Sequence, residues 1–99
     1  MKNISIIDEK VYNGSQSINY ELIGEIKERK IRISIKRDSV GYQSHARIEL
    51  WDGDKWNWMA SIHHTQMDCM IHHAYDPNPT KSMFRKDSQK LIDIANKII

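Results

Sequence analysis

Between residues 18 and 63 the apolar positions recur on alternate residues in four successive runs. Ile18, Tyr20, Leu22, Gly24 and Ile26 alternate with mostly polar positions (Asn19, Glu21, Glu25 and Lys27). Ile31, Ile33 and Ile35 alternate with Arg32, Ser34 and Lys36; Ala46, Ile48 and Leu50 alternate with His45, Arg47 and Glu49. In the fourth run Trp56, Trp58, Ala60 and Ile62 stand against Lys55, Asn57, Ser61 and His63. A period of two describes strands with one buried and one wet face. It predicts strands over about 18–27, 30–37, 43–51 and 54–63, joined by links short enough for an antiparallel meander. Ile4, Ile6, Ile7 and Val11 suggest a further, short edge strand.

The links carry turn chemistry. Asp52-Gly53 predicts a type I′ hairpin turn, which needs positive φ at both central residues; Glu28-Arg29-Lys30 is a weaker turn signal. Asn13 to Ser17 and Asp38 to Gly41 read as loops, as does Asp76-Pro77-Asn78-Pro79. Gly24, inside a strand, marks a bulge or a close approach of another backbone.

Past residue 80 the period changes. Phe84, Leu91, Ile94 or Ala95, and Ile98 recur at helical spacing, predicting an amphipathic helix over about 80–98. Asn78 can cap it, with Pro79 at the first helical position; Thr80 and Ser82 are alternative caps. Lys81, Arg85 and Lys86 sit in the opening turns, where the helix dipole disfavours cations, a hint that they serve something else. Met67, Met70, Ile71 and Ala74 have helical spacing over too short a stretch to define an element. A sheet with one apolar face needs a cover, and the helix supplies it. The expected fold is therefore α+β, with a four- to five-stranded antiparallel meander covered on one face by a C-terminal helix. Trp56 and Trp58 are its largest apolar side chains, and Trp56 at least is expected under the helix.

Composition narrows the function classes. Ninety-nine residues make one domain, with little core to spare for a deep catalytic cleft. The one cysteine excludes an internal disulfide framework. The chain contains no membrane-length apolar run and its first residues lack the pattern of a secretory signal, so a soluble cytoplasmic protein is expected. Isoleucine outnumbers leucine 16 to 3, which suits pleated surfaces and also suggests an AT-rich gene.

The net charge of +2 conceals segregation: residues 27–37 sum to +5 and residues 81–90 to +3, leaving −6 for the rest. Arg32, Lys36, His45 and Arg47 share one sheet face by parity, with Trp51 beside them. A basic face with an aromatic can bind single-stranded nucleic acid by stacking and phosphate contacts. Against that, the pI of about 8.7 is modest, and Glu21, Glu25 and Glu49 can pair with the cations across strands.

His63, Cys69, His72 and His73, with Asp68 or Asp76 near, are metal-ligand types in a short span. Cys-x2-His is a workable local chelate for zinc, although the spacing matches no paired-knuckle pattern. The alternative is a buried, inert Cys69 among polar histidines. A Cys69–His nucleophile lacks any oxyanion-hole or orienting signature, so no catalytic residue and no enzymatic function is expected.

Trp51 beside the Asp52-Gly53 turn, with Trp58, forms the strongest interface signal, since exposed tryptophans anchor protein interfaces. The leading expectation is a small non-enzymatic binding protein acting through protein–protein recognition, of the kind a phage or mobile element uses as an inhibitor or accessory factor. The alternatives are a nucleic-acid-binding module on the basic sheet face, through Arg32, Lys36 and Arg47, and a zinc-binding domain. An open edge strand around Ile4 and Ile6 offers pairing across a two-fold axis as a homodimer.

Overall fold

The computed structural model of the chain describes residues 1–69 and 81–99. Five strands form one antiparallel sheet in sequence order: β1 (Ser5–Asn13), β2 (Ser17–Ile26), β3 (Arg29–Asp38), β4 (His45–Trp51) and β5 (Trp56–Ile62). Helix α1 (Lys81–Ile98) packs on one face, mainly over β4 and β5. The expected α+β meander is present, with the N-terminal strand as its fifth member. Single turns of 3-10 helix at Gly41–Gln43 and His64–Gln66 complete the described elements.

The alternating apolar side chains make the core. Tyr20, Leu22 and Ile26 of β2, the isoleucines 31, 33 and 35 of β3, and Ala46 and Ile48 of β4 are buried. They meet Phe84, Leu91, Ile92 and Ala95 from α1. Tyr20 and Phe84 stack with ring centroids 5.1 Å apart, close to parallel. Burying each such aliphatic side chain contributes roughly 1.5–3 kcal/mol. The helix stripe also holds two buried polar residues, Asp87 and Ser88, while Ile98, expected on the stripe, is exposed. Ser82 lies inside α1; the other candidate caps, Asn78, Pro79 and Thr80, lie outside the described residues.

Two bulges decide which side chains face which way. On β5, Ile48 pairs with Ala60 but Glu49 pairs with Trp58, so Met59 is an extra residue. One extra residue reverses the phase of everything before it. Trp58 and Trp56 therefore lie on the face away from the helix, opposite Glu49 and Trp51. This corrects the expectation that Trp56 is buried under α1. Met59, expected on the wet side, packs partly buried against the core instead. On β1, Ile6 pairs with Gly24 and Asp8 with Ile23, so Ile7 is the extra residue. A Cβ on Gly24 would stand 2.6 Å from the Ser5 carbonyl oxygen, so the glycine permits a close approach.

The turns exchange roles. Lys27 and Glu28 hold φ of 51° and 65° between the paired residues Ile26 and Arg29, a two-residue hairpin built without glycine. At the other hairpin only Gly53 has positive φ, so the expected I′ turn there is replaced by a longer loop. The reason is the Asp52 carboxylate: its Oδ1 accepts from the backbone N–H groups of Asp54 and Lys55 at 2.9 and 2.8 Å, and its own N–H donates to the Lys55 carbonyl. An aspartate that caps its own loop has no need of the left-handed conformation.

Candidate functional site

The face of the sheet opposite α1 gathers the expected binding residues. Register carries Arg32 beside Glu49, Glu49 beside Trp58, Lys36 beside His45, and Arg47 between Ser34 and Ser61. Trp51, Trp58, Arg32, Lys36, Arg47 and His45 thus share one surface. The β5 bulge adds Trp56, which parity alone assigned to the other face.

At one end of this surface the side chains are locked together. Trp51 and Trp56 pack at 5.2 Å between centroids, tilted by 58°. The Arg32 guanidinium lies 4.6 Å from the centre of the Trp56 ring and donates from Nε and Nη2 to Glu49 Oε1 at 3.1 and 2.9 Å. Arg47 Nε approaches the same oxygen at 3.7 Å. An arginine held between an indole face and a carboxylate has little rotamer freedom left to lose on binding. Trp58, 66% exposed, donates its indole N–H to Ser61 Oγ at 2.7 Å, which fixes the ring on the sheet.

The other end is polar. Tyr12, Asn19, Ser34, Lys36, His45 and Arg47 line an open depression of about 390 Å³. Partial burial, then the Arg47 and Lys36 charges, depress the His45 pKa, so its imidazole is neutral near pH 7.

The segregated charge is largely spent inside the molecule. Lys27 Nζ donates to the carbonyls of Asn96 and Ile99 at 3.1 and 3.0 Å, closing the last turn of α1. Lys36 pairs with Asp38 at 3.3 Å, and Lys10 lies 3.7 Å from Glu21. Two of the cations that the dipole disfavours, Lys81 and Arg85, both reach the Glu9 carboxylate, and farther along the helix Lys90 reaches Asp68. Glu9, on β1, also accepts from the Tyr20 hydroxyl. The bonds from Arg85, Tyr20 and Lys81 outweigh burial and hold the Glu9 pKa down to about 2. Nothing in the alternation marked Glu9; the only sequence signal was the misplaced basic residues opening α1.

Of the metal-ligand candidates, His63 is engaged with Thr65, whose backbone N–H and hydroxyl both contact Nδ1. Cys69 is fully buried; its thiol donates to Asp87 Oδ2 at 2.9 Å, and the same carboxylate accepts the Asp68 and Cys69 N–H groups. Burial and the Asp87 carboxylate push the thiol well above its ordinary range, opposite to the depressed pKa of a nucleophilic or metal-bound cysteine. Asp68 is paired with Lys90, and His72, His73 and Asp76 lie outside the described residues, as do Met70, Ile71 and Ala74. Among the described residues no three His, Cys, Asp or Glu side chains converge on a point that could hold a metal ion, and no helix is long and apolar enough to cross a membrane. Comparison of the chain with protein-family models, with curated proteins and with solved structures gives no match.

Proposed function

We propose that this chain is a small recognition domain that binds a protein partner through the outer face of its sheet, with Trp58 as the anchor. The observation that carries the reading is the Trp58 indole, 66% exposed yet fixed by Ser61, beside the Trp51–Trp56–Arg32–Glu49 cluster. Tryptophan and arginine dominate binding energy at protein interfaces, and rigid ones lose the least entropy. The partner this chemistry suits offers an apolar pocket for an indole, rimmed by a carboxylate for Arg47.

The internal pairing of Lys36 and Arg32 favours a protein over a nucleic acid, because phosphate binding draws on unpaired cations. Affinity capture with nuclease treatment, followed by calorimetry on the purified captured protein, tests the reading. Binding should survive nuclease and fall by roughly a hundredfold in Trp58→Ala, a loss of about 3 kcal/mol. Capture that vanishes with nuclease, or a Kd untouched by Trp58→Ala, would reject it; the first outcome, with affinity falling steeply with salt, would assign the face to nucleic acid instead.

A further inference from the structure

Among the described residues the outer edge of β1 is unpaired, since the sheet order begins with this strand. Four large apolar side chains exposed on the described surface belong to it: Ile6, Ile7, Val11 and Tyr12, at 42 to 58% exposure. A free backbone edge with apolar side chains is a template for another strand. The sequence of β1, SIIDEKVYN, states which strand fits. In an antiparallel pairing of two copies centred on Glu9, Asp8 stands opposite Lys10 of the second copy, and Ile7 stands opposite its Val11. Both matches occur twice by symmetry, as an isologous contact requires.

The pairing is also consistent in three dimensions. Asp8 and Lys10 pair with Ile23 and Glu21 of β2, so both point to the outer face and would meet there. Glu9 falls at the two-fold axis on the helix side, where each carboxylate is already held by its own Arg85 and Lys81. The central Glu9 and both Asp8–Lys10 pairs lie in the regular stretch of β1 that runs from Asp8 to Asn13, with the Ile7 bulge of each copy just outside them. A shift of the centre by one residue, to Lys10, would set two lysines face to face and break both Asp8–Lys10 pairs.

We infer that two copies of this chain associate edge to edge through β1, centred on Glu9, with reciprocal Asp8–Lys10 pairs, to form a ten-stranded sheet. This contact is separate from the tryptophan surface and stands whether or not that surface binds a protein. It leaves both outer faces on the same side of the joint sheet.

Sedimentation equilibrium from micromolar to millimolar concentration tests it on the full chain. The wild type should associate reversibly to a dimer. Lys10→Asp should weaken association roughly tenfold or more, because each reversed charge acts twice. The double variant Asp8→Lys, Lys10→Asp should recover it. Val11→Lys provides a second weakening variant at an exposed position, and circular dichroism confirms that each variant is folded. A wild type that is monomeric throughout overturns the inference. So does a dimer indifferent to Lys10→Asp and Val11→Lys, or one that the charge swap fails to restore.

Discussion

Arg85 and Glu9, 76 positions apart in the chain, are joined by two hydrogen bonds, Nε to Oε2 at 2.9 Å and Nη2 to Oε1 at 2.6 Å. The pair ties the opening turns of α1 to the edge strand, while the buried helix stripe packs mainly over the other side of the sheet. It explains why cations stand where the helix dipole opposes them: a fork-shaped pair with a shielded carboxylate outweighs a few tenths of a kcal/mol.

Because Glu9 is held at a pKa of about 2 against an ordinary 4.5, the unfolded chain takes up its proton first. Its contribution to stability is therefore complete above pH 4.5 and is lost as pH falls from 4.5 towards 2. Glu9→Gln should cost about 2 kcal/mol at pH 7. It should also flatten the stability profile in that acid window, leaving the smaller slopes of Asp38 and Asp52, whose pKa values backbone hydrogen bonds also lower. Urea titrations at several pH values measure both effects; an unchanged acid slope would show that Glu9 is not the group responsible.

Glu28 holds φ of 65° without the freedom of glycine. A left-handed conformation costs an ordinary residue about 1–2 kcal/mol. Glu28→Gly should therefore raise stability by up to about 1 kcal/mol, after the entropy that glycine adds to the unfolded chain is subtracted. Lys27→Gly relieves the same strain but loses the bonds to Asn96 and Ile99, so it should gain less. Thermal melts of the two variants, compared with wild type, rank them; a destabilised Glu28→Gly would contradict the strain argument.

Cys69 is the chain's one cysteine, and its thiol is both buried and bonded to Asp87. In the native protein it should resist thiol reagents at neutral pH and react at once in denaturant. Cys69→Val removes the donor while filling similar space and should cost about 1–3 kcal/mol, because the buried Asp87 side chain loses a hydrogen-bond partner. Rapid labelling of the folded protein would show that the site opens locally.

The outward indole of Trp58 is expected to matter little for folding. Trp58→Ala should change stability by no more than about 0.5 kcal/mol. Its fluorescence should be the most readily quenched by acrylamide of the three tryptophans, since Trp51 and Trp56 cover one another. A large loss of stability would mean that Trp58 holds the sheet together rather than projecting from it.

The parts of this architecture legible in sequence are those where one residue type repeats on one face. The alternation in β2, β3 and β4 is regular enough to assign Leu22, Ile33 and Ile48 to the core, and Arg32, Lys36, His45 and Arg47 to the far surface. Alternation alone puts Trp56 and Trp58, but not Trp51, on the helix face, for a definite reason. Alternation carries no mark of an inserted residue, and Met59 is apolar enough to lie on either side of a strand. The turn at Lys27-Glu28 reads one residue late in the sequence, as Glu28-Arg29-Lys30, because neither Lys27 nor Glu28 announces a left-handed backbone; what holds Lys27 there is a helix end 69 positions away. Asp87 and Ser88 are equally silent, since polar residues in a helix stripe read as surface until the carboxylate is seen receiving Asp68 and Cys69.

The order of elements has a consequence for how the chain is made. Each strand pairs only with its neighbour in sequence, so the sheet can zip together as it is synthesised. Its cover comes after all five strands, in residues 81–98. At ordinary translation rates the interval between the end of β5 and the end of α1 lasts roughly 2–7 s. For that time the face carrying Leu22, Ile33 and Ile48 lacks its helix, and a nascent chain stalled within it presents the oily surface that chaperones and proteases read as unfinished.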